Sequence, residues 1–536
     1  MPMKKTLILV LVALLGLSAR AQQFIDFSEL EGQSCTSIMV GKKATTDGSV
    51  ITSHTCDGRY RTWMSIEPAA KHKQGAMHDV RRGTMHTTYR EDTTGVTLAG
   101  QIPEVARTYA YLNTAYPCLN ERQLAIGEAT FGGPDTLMNP KGMFMIEELE
   151  RIVLQRCDNA RDAIRLIGEL VKRYGYGDGG ECLTIADKNE VWEFEILGEG
   201  PHKIGAVWAA QRIPDNHVGV NCNIPRIGKL QYNNPDYFMF SPNCEKVARK
   251  YGLWDGKEEF VFWKAFNTAW ANGKNFRERE FFILNALAPS LHLSYDMNEL
   301  PFSVKPDEKV DVRRVMELLR STFEGTDHDM CQNLKIVVDH KDKKGNVHKD
   351  TVTSPVANPW MNSTMLNTLN YQNKEAVTFR RTVSVAWCAY SFVTQLRGWL
   401  PDEVGGVCWM ACDNPGQSPR IPIFCGNTRL PKAFGLCGQK QFNENAWLWQ
   451  YRKANKLATV AWQRTKDMFN KELKTQEDNA FNNLTKLERS IKKMDQDNKE
   501  QIANALNDYT FKVYDETSSA WKQMENKLWH IFGMGF

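Results

Sequence analysis

No stretch of the 536-residue chain is an apolar run long enough to cross a bilayer, which takes about eighteen residues or more: Thr6–Leu17 falls short and nothing after it comes near. There is no Cys-x-x-Cys pair, so neither a zinc ribbon nor a thioredoxin-type redox motif is supported. The glycines of Tyr176-Gly177-Asp178-Gly179-Gly180 lack both the GxGxxG spacing and a Walker lysine, which excludes a phosphate loop. Ser384, Ser391 and the scattered histidines make no serine-hydrolase triad signature. Neither sign of charge is in excess: 67 Lys and Arg against 63 Asp and Glu leave a net +4, far from the clustered basic footprint of a nucleic-acid binder. With 42% hydrophobic and 24% charged residues the composition is that of a folded soluble protein, so disorder, collagen and a polytopic membrane protein are excluded.

What is present begins at the N-terminus. Lys4 and Lys5 precede the short apolar run, and Ala19-Arg20-Ala21 follows it with the small-residue pattern of a signal-peptidase site. This predicts a signal peptide over 1–21, cut after Ala21, and export to the periplasm or the medium without a membrane anchor. Thirteen cysteines fit an oxidising compartment and predict disulfides, and the odd count leaves at least one thiol free. Cys408 and Cys412, four apart, and Asp327-His328-Asp329 are the nearest approaches to a metal motif. No second ligand cluster accompanies either, so no metal site is expected.

From Gln22 to Ser34 the chain is short, acidic and unpatterned, a spacer by its look. At Cys35 it changes to Cys-Thr-Ser-Ile-Met-Val, then a Thr46-Asp47-Gly48 turn, then Ser49–Ser53, which reads as a β-hairpin with Asp-Gly supplying the positive-φ positions. Between Met143 and Tyr174 apolar residues at Ile146, Leu149, Ile152 and Val153, and again at Ile164, Ile167, Leu170 and Val171, predict two helices broken and capped at Asp158-Asn159. Short strands follow from Cys182 to Asn223, implying an antiparallel meander. Strands, paired helices and strands again give an α+β layered domain. Lys341–Asp350 reads as a solvated loop or hairpin tip. Gln441–His530 holds no Pro, Gly or Cys, and steps of three and four through Phe481, Leu484, Leu487, Ile491 and Met494, then Trp521, Met524 and Leu528, predict packed amphipathic helices.

Cys35 opens its strand directly after the spacer. If the Ser34–Cys35 bond were cut, the new α-amine would sit beside its own thiol, and with a pKa near 8 it can act as general base without a histidine. The competing reading of the position is a half-cystine near the start of a secreted protein.

The segment from Cys35-Thr-Ser-Ile-Met-Val to Asp47-Gly48-Ser49 resembles the opening of mature dipeptidase A-type cysteine dipeptidases, the N-terminal nucleophile peptidases of cysteine peptidase family sixty-nine. Further segments match in order: Ala125–Thr130, Tyr174-Gly175-Tyr176 with Gly180-Glu181, Ile185–Trp192, Trp208–Asp215, Phe323–Thr326, and Gln395-Leu396-Arg397 through Leu400-Pro401-Asp402 to Gly405-Gly406-Val407. The resemblance covers about residues 35 to 430. It implies an αββα sandwich of the N-terminal nucleophile hydrolase type over 35–440, with an α-helical C-terminal region over 441–536. It also implies a propeptide over 22–34 removed by self-cleavage between Ser34 and Cys35, and hydrolysis of dipeptides without metal or organic cofactor.

The same resemblance suggests roles. Cys35 is the nucleophile, and Asp57, near its amine, holds that amine in position; relatives commonly carry arginine where this chain has His54, which leaves an ionic role there in doubt. Asn223 resembles the strand-end asparagine whose amide completes an oxyanion hole, with Asn221 as the nearby rival. Glu128 would receive the substrate's free amine and Arg226 its carboxylate. Small peptides are the expected partners, with oligomeric state left open. An N-acyl amidohydrolase on the same scaffold and a non-catalytic disulfide-bonded binding protein are the alternatives.

Overall fold

The computed structural model describes residues 34–267 and 274–535; the expected signal peptide over 1–21 and residues 22–33 of the spacer lie outside them. Two antiparallel sheets carry the core. The first runs, in spatial order, Ser303–Val304, Val218–Asn221, Ser34–Val40, Val50–Asp57, Cys388–Leu396, Gly406–Cys412 and Ile421–Phe424. The second runs Phe238–Phe240, Ala206–Arg212, Val191–Gly198, Gly180–Ala186, Ala125–Gly132, Leu119–Asn120, Tyr111–Asn113 and Ser65–Glu67. The central strands are buried along their whole length, as expected of sheets covered on both faces, so their sequences show apolar runs as well as alternation.

The opening strand pairs with Val50–Asp57 in the register Cys35↔Cys56 and with Val218–Asn221 on its other side, so it lies inside the first sheet. The link between Val40 and Val50 is a nine-residue loop and not the tight hairpin read from Asp47-Gly48. Gly48 alone takes a positive φ, 84°, while Asp47 accepts the backbone and hydroxyl hydrogens of Ser49.

The predicted helix pair is Ile146–Arg156 and Ala160–Tyr174. Asn159 caps the second, its side chain accepting the Asp162 N–H at 2.9 Å, and both helices pack on the second sheet. On the first sheet lie Lys274–Leu287, Val312–Leu318 and the C-terminal helices Trp447–Ala458 and Lys499–Phe532. The third tail helix, Trp462–Ile491, packs against Lys499–Phe532. Phe481 of that helix stacks on Trp409 of the first sheet at 4.2 Å, and Thr510 donates to the Pro422 carbonyl at 2.9 Å, so the tail shares one core with the sheets. The Lys341–Asp350 segment is the end of an exposed two-stranded ribbon, Lys335–Lys341 with Val347–Thr353. Among the described residues no helix is long and apolar enough to cross a membrane.

The expected disulfides are not there. All thirteen cysteines are free thiols and all but Cys425 are buried, six of them inside strands of the two sheets, where a free cysteine packs as a small apolar side chain.

The sheets approach each other closely at Gly127. A Cβ on that residue would lie 2.5 Å from the Ser53 carbonyl oxygen and 2.7 Å from Thr184 Oγ1. Backbone cannot move aside as a side-chain end can, so Gly127→Ala should destabilise the protein by about 1–3 kcal/mol. Thermal melting should show a lowered midpoint, whereas Gly228→Ala, whose Cβ meets nothing within 4 Å, should leave it in place.

Candidate active site

Because side chains alternate along a strand, Cys35 and Ser37 face the second sheet while Ser34 and Thr36 face away from it. The Cys35 thiol donates to Glu128 Oε2 at 3.4 Å, and Ser37 Oγ donates to the Glu128 backbone carbonyl at 3.3 Å. On the far side two buried arginines converge. Arg279, on Lys274–Leu287, donates to the Cys35 carbonyl at 2.6 Å, Thr36 Oγ1 at 3.0 Å, and the Cys222 carbonyl and Asn223 Oδ1, each at 2.8 Å. Arg381 donates to Ser34 Oγ from Nε at 3.0 Å and from Nη2 at 2.6 Å, to the Ser34 carbonyl at 3.3 Å, and to Asp57 Oδ2 at 2.7 Å.

The backbone N–H of Cys35 donates to Asn223 Oδ1 at 2.8 Å. That oxygen also takes Arg279, so the amide's orientation is fixed by two donors, and its Nδ2 points to the Thr130 carbonyl at 2.6 Å. The strand ends at Asn221, and Asn223 sits beyond it in the left-handed region, φ 66°, which asparagine tolerates better than most residues. Asn221 serves that turn: its amide donates to Glu193 Oε1 and the Ile224 carbonyl and accepts the Asn223 N–H.

Asp57 is fully buried. Oδ2 takes Arg381 and the Thr55 hydroxyl, while Oδ1 has no partner among the described residues. Arg226 is held elsewhere, paired with Glu280 at 2.6 Å and donating to the Leu300 and Pro301 carbonyls. Sequence reasoning gave no role to Arg279, Arg381 or Glu181; an arginine in a charged stretch such as Arg277-Glu278-Arg279-Glu280, or beside Arg380, has no spacing that marks it, and only the fold brings these guanidinium groups to one strand.

Burial, with the Glu128 charge second, raises the Cys35 thiol well above its ordinary range, so it is protonated here. Burial likewise raises Glu128 and its neighbour Glu181, which interact as a coupled pair of buried carboxyls, with Asp178 adding to both. Behind them, on Ile146–Arg156, both Glu150 oxygens and Glu147 Oε2 lack partners among the described residues. Burial lowers His54 to about 3, so it is neutral, and it is the sole ion-pair contact of Glu128 within 4.0 Å among the described residues.

Cys35, His54 and Glu128 each offer a ligand atom within 4.8 Å of the others, a set that in type could hold a metal. The imidazole faces the wrong way for it. Nδ1 accepts the Glu128 backbone N–H at 3.3 Å, which assigns the ring proton to Nε2, the nitrogen 3.8 Å from Glu128 Oε2. His328, the other metal candidate, is paired with Glu278.

Burial, then the charge of Asp178, raises Glu147 to about 8. The folded carboxyl thus keeps a proton that the unfolded chain loses above about 4.5, so stability is greatest below that value and falls as pH rises toward 8, at up to about 1.4 kcal/mol per unit. Thermal midpoints between pH 5 and 8 should therefore fall less steeply in Glu147→Gln than in the parent; an unchanged slope would mean the carboxyl is not held protonated.

The sequence model of Peptidase family C69 matches residues 34–475. A probable dipeptidase of Latilactobacillus sakei is 26% identical over 436 residues, covering 78% of this chain and 80% of that protein. A probable dipeptidase of Salmonella dublin is 24% identical over 416 residues, 73% of this chain and 81% of its own, and a probable dipeptidase B of Lactococcus lactis subsp. lactis is 27% identical over 420 residues, 75% and 76%.

Proposed function

The chain belongs to Peptidase family C69 and is a peptide hydrolase, and from that premise we propose that it is an exported cysteine dipeptidase of the αββα N-terminal nucleophile type, activated by cutting its own Ser34–Cys35 bond. The observation that carries the reading is the pairing of the Cys35 thiol with a buried carboxylate, Glu128, that has no lysine or arginine within 4.0 Å among the described residues. In a dipeptide the α-ammonium lies about 2.5 Å from the carbonyl carbon that a nucleophile attacks. A carboxylate 3.4 Å from the sulfur is thus placed to take that ammonium when the thiol reaches the carbon.

The cut leaves an α-amine on Cys35, which removes the thiol proton and later returns one to the leaving amine. Asp57 Oδ1, buried and without a partner among the described residues, is the acceptor that holds this amine. One Asn223 Nδ2 hydrogen goes to Thr130; the second serves the oxyanion of the tetrahedral intermediate, a contribution of about 2.7–4 kcal/mol in comparable sites. Water then releases the acyl group from sulfur. Arg226 is the proposed receiver of the substrate carboxylate, a charged acceptor that would draw its Nη2 from the neutral Leu300 and Pro301 carbonyls. No metal enters any step.

An N-acyl amidohydrolase would want an apolar wall beside the thiol, and the carboxyls of Glu128 and Glu181 stand against it. The disulfide-bonded binding protein needs Cys35 in a bridge, and its thiol is free.

Intact mass and N-terminal sequencing of the exported protein should find Cys35 first in the parent and residues up to Ser34 retained in Cys35→Ala. The matured parent should hydrolyse dipeptides with a free amine at least about 100-fold better than their N-acetyl forms. Equal rates would favour the amidohydrolase, and an N-terminus at Gln22 in both proteins would remove the enzyme's base.

A further inference from the structure

The uncut chain poses a problem that the mature enzyme does not have. Before the Ser34–Cys35 bond breaks there is no α-amine, because the Cys35 nitrogen is an amide whose hydrogen goes to Asn223 Oδ1. The thiol is protonated by burial, so self-cleavage needs a base from elsewhere. In this uncut state one carboxylate touches the sulfur, Glu128 Oε2 at 3.4 Å, and one guanidinium touches the oxygen of the bond to be cut, Arg381 Nη2 at 3.3 Å from the Ser34 carbonyl.

We propose that Glu128 is the catalytic base of self-cleavage, taking the Cys35 thiol proton while Arg381 receives the oxyanion that forms on Ser34. The proposal rests on the self-processing reading and assigns a task that precedes substrate binding. Sulfur adds to the Ser34 carbonyl carbon, and the negative charge moves to the carbonyl oxygen against the guanidinium. The carbonyl re-forms as the carbon–nitrogen bond breaks, and Glu128 passes its proton to the departing Cys35 nitrogen. The product is a Ser34 thioester on sulfur beside a free α-amine. Water adds to the thioester carbon and the carbon–sulfur bond breaks; one water proton returns to the thiol, the other goes to the new α-amine, and the upstream segment leaves with a carboxylate at Ser34. Atoms and charges balance with water as the one co-reactant.

The surroundings of Glu128 set its proton affinity. Cys35 faces it from the opening strand, and His54, Cys56 and Asp57 lie on the next strand. Glu181 and Asp178 face it from the neighbouring strand and its approach, Glu150 from the helix Ile146–Arg156, and Tyr60 and Tyr116 from loops. Burial among these neutral and acidic groups brings Glu128 up to about 7, so it can both accept and return a proton near neutrality.

The test uses the full chain, refolded from denaturant and followed by intact mass with no substrate present, so a substrate-binding role of Glu128 cannot affect the readout. The parent's cleavage rate should rise with pH and level off near 7. Glu128→Gln should cut roughly 10²- to 10⁴-fold more slowly, with a rate that keeps climbing with pH because hydroxide must replace the lost base. Glu128→Asp should fall between and keep the plateau. Hydroxylamine should trap Ser34 as a hydroxamate from the parent and far less from Glu128→Gln. A Glu128→Gln chain that cuts at the parent rate with the parent's profile overturns the assignment while leaving self-processing intact. If that variant does not fold, a parent profile without a plateau between pH 5 and 9 overturns it equally. Cleavage in Cys35→Ala, or none in the parent, sinks the self-processing reading itself.

Discussion

The close approach of the two sheets at Gly127 is the constraint on which the site depends. Cys35 belongs to one sheet and Glu128 to the other, and they touch because the residue before Glu128 has no side chain to hold the Ser53 carbonyl away. Gly127 is buried between backbone and hydroxyl groups, so the separation of thiol and carboxylate is set by the packing of whole sheets and not by a mobile loop. Such placement suits chemistry that tolerates little error in the distance between reacting atoms.

One strand also sorts charge. Odd positions of its opening, Cys35 and Ser37, look into an acidic interior holding Glu128, Glu181 and Glu150, whereas Ser34 and Thr36 look toward Arg279 and Arg381. Separating the two groups by the thickness of a strand keeps the guanidinium charge from neutralising Glu128. Asp57 is the exception: it lies with Arg381 on the basic side, ion-paired at 2.7 Å, whereas His54 on the same strand is neutral. A buried ion pair of this kind contributes little net stability, and its value lies in orienting the groups around Ser34 and Cys35.

Local signals in the sequence carried through to the structure where the physics is local. The helix break at Asp158-Asn159 is a capping preference, and the tail's spacing is the footprint of helices laid on a sheet. The Asp47-Gly48 turn was legible as a turn but not as part of a nine-residue loop, because loop length there is set by contacts such as the Thr45–Val310 bridge, far away in sequence. Asn221 rivals Asn223, the residue the sequence favours, only if an alternating strand continues through both; the strand stops at Asn221, and the left-handed turn brings Asn223 to Cys35. The cysteine count pointed to disulfides because composition reports a compartment, whereas a bridge requires two sulfurs brought together in bonding geometry, and these thiols pack in the core unbridged, even where Cys118 and Cys408 are neighbours. Arg279 and Arg381 come from segments with no motif, and their convergence is a property of topology alone.

On the proposed reading, the chemistry before and after the cut differs by one charge at one place. In the uncut chain the thiol stands against a carboxylate and carries its proton, so it is a poor nucleophile toward anything but the carbonyl adjoining it. Breaking the bond adds an ammonium at Cys35 and sends the new carboxylate away with the upstream segment. A cation then stands within bonding distance of the sulfur, amid Asp57 and Glu128, and its field lowers the thiol's proton affinity where burial and the carboxylate had raised it. The same buried acids that favour the protonated thiol before cleavage therefore favour the protonated amine afterwards.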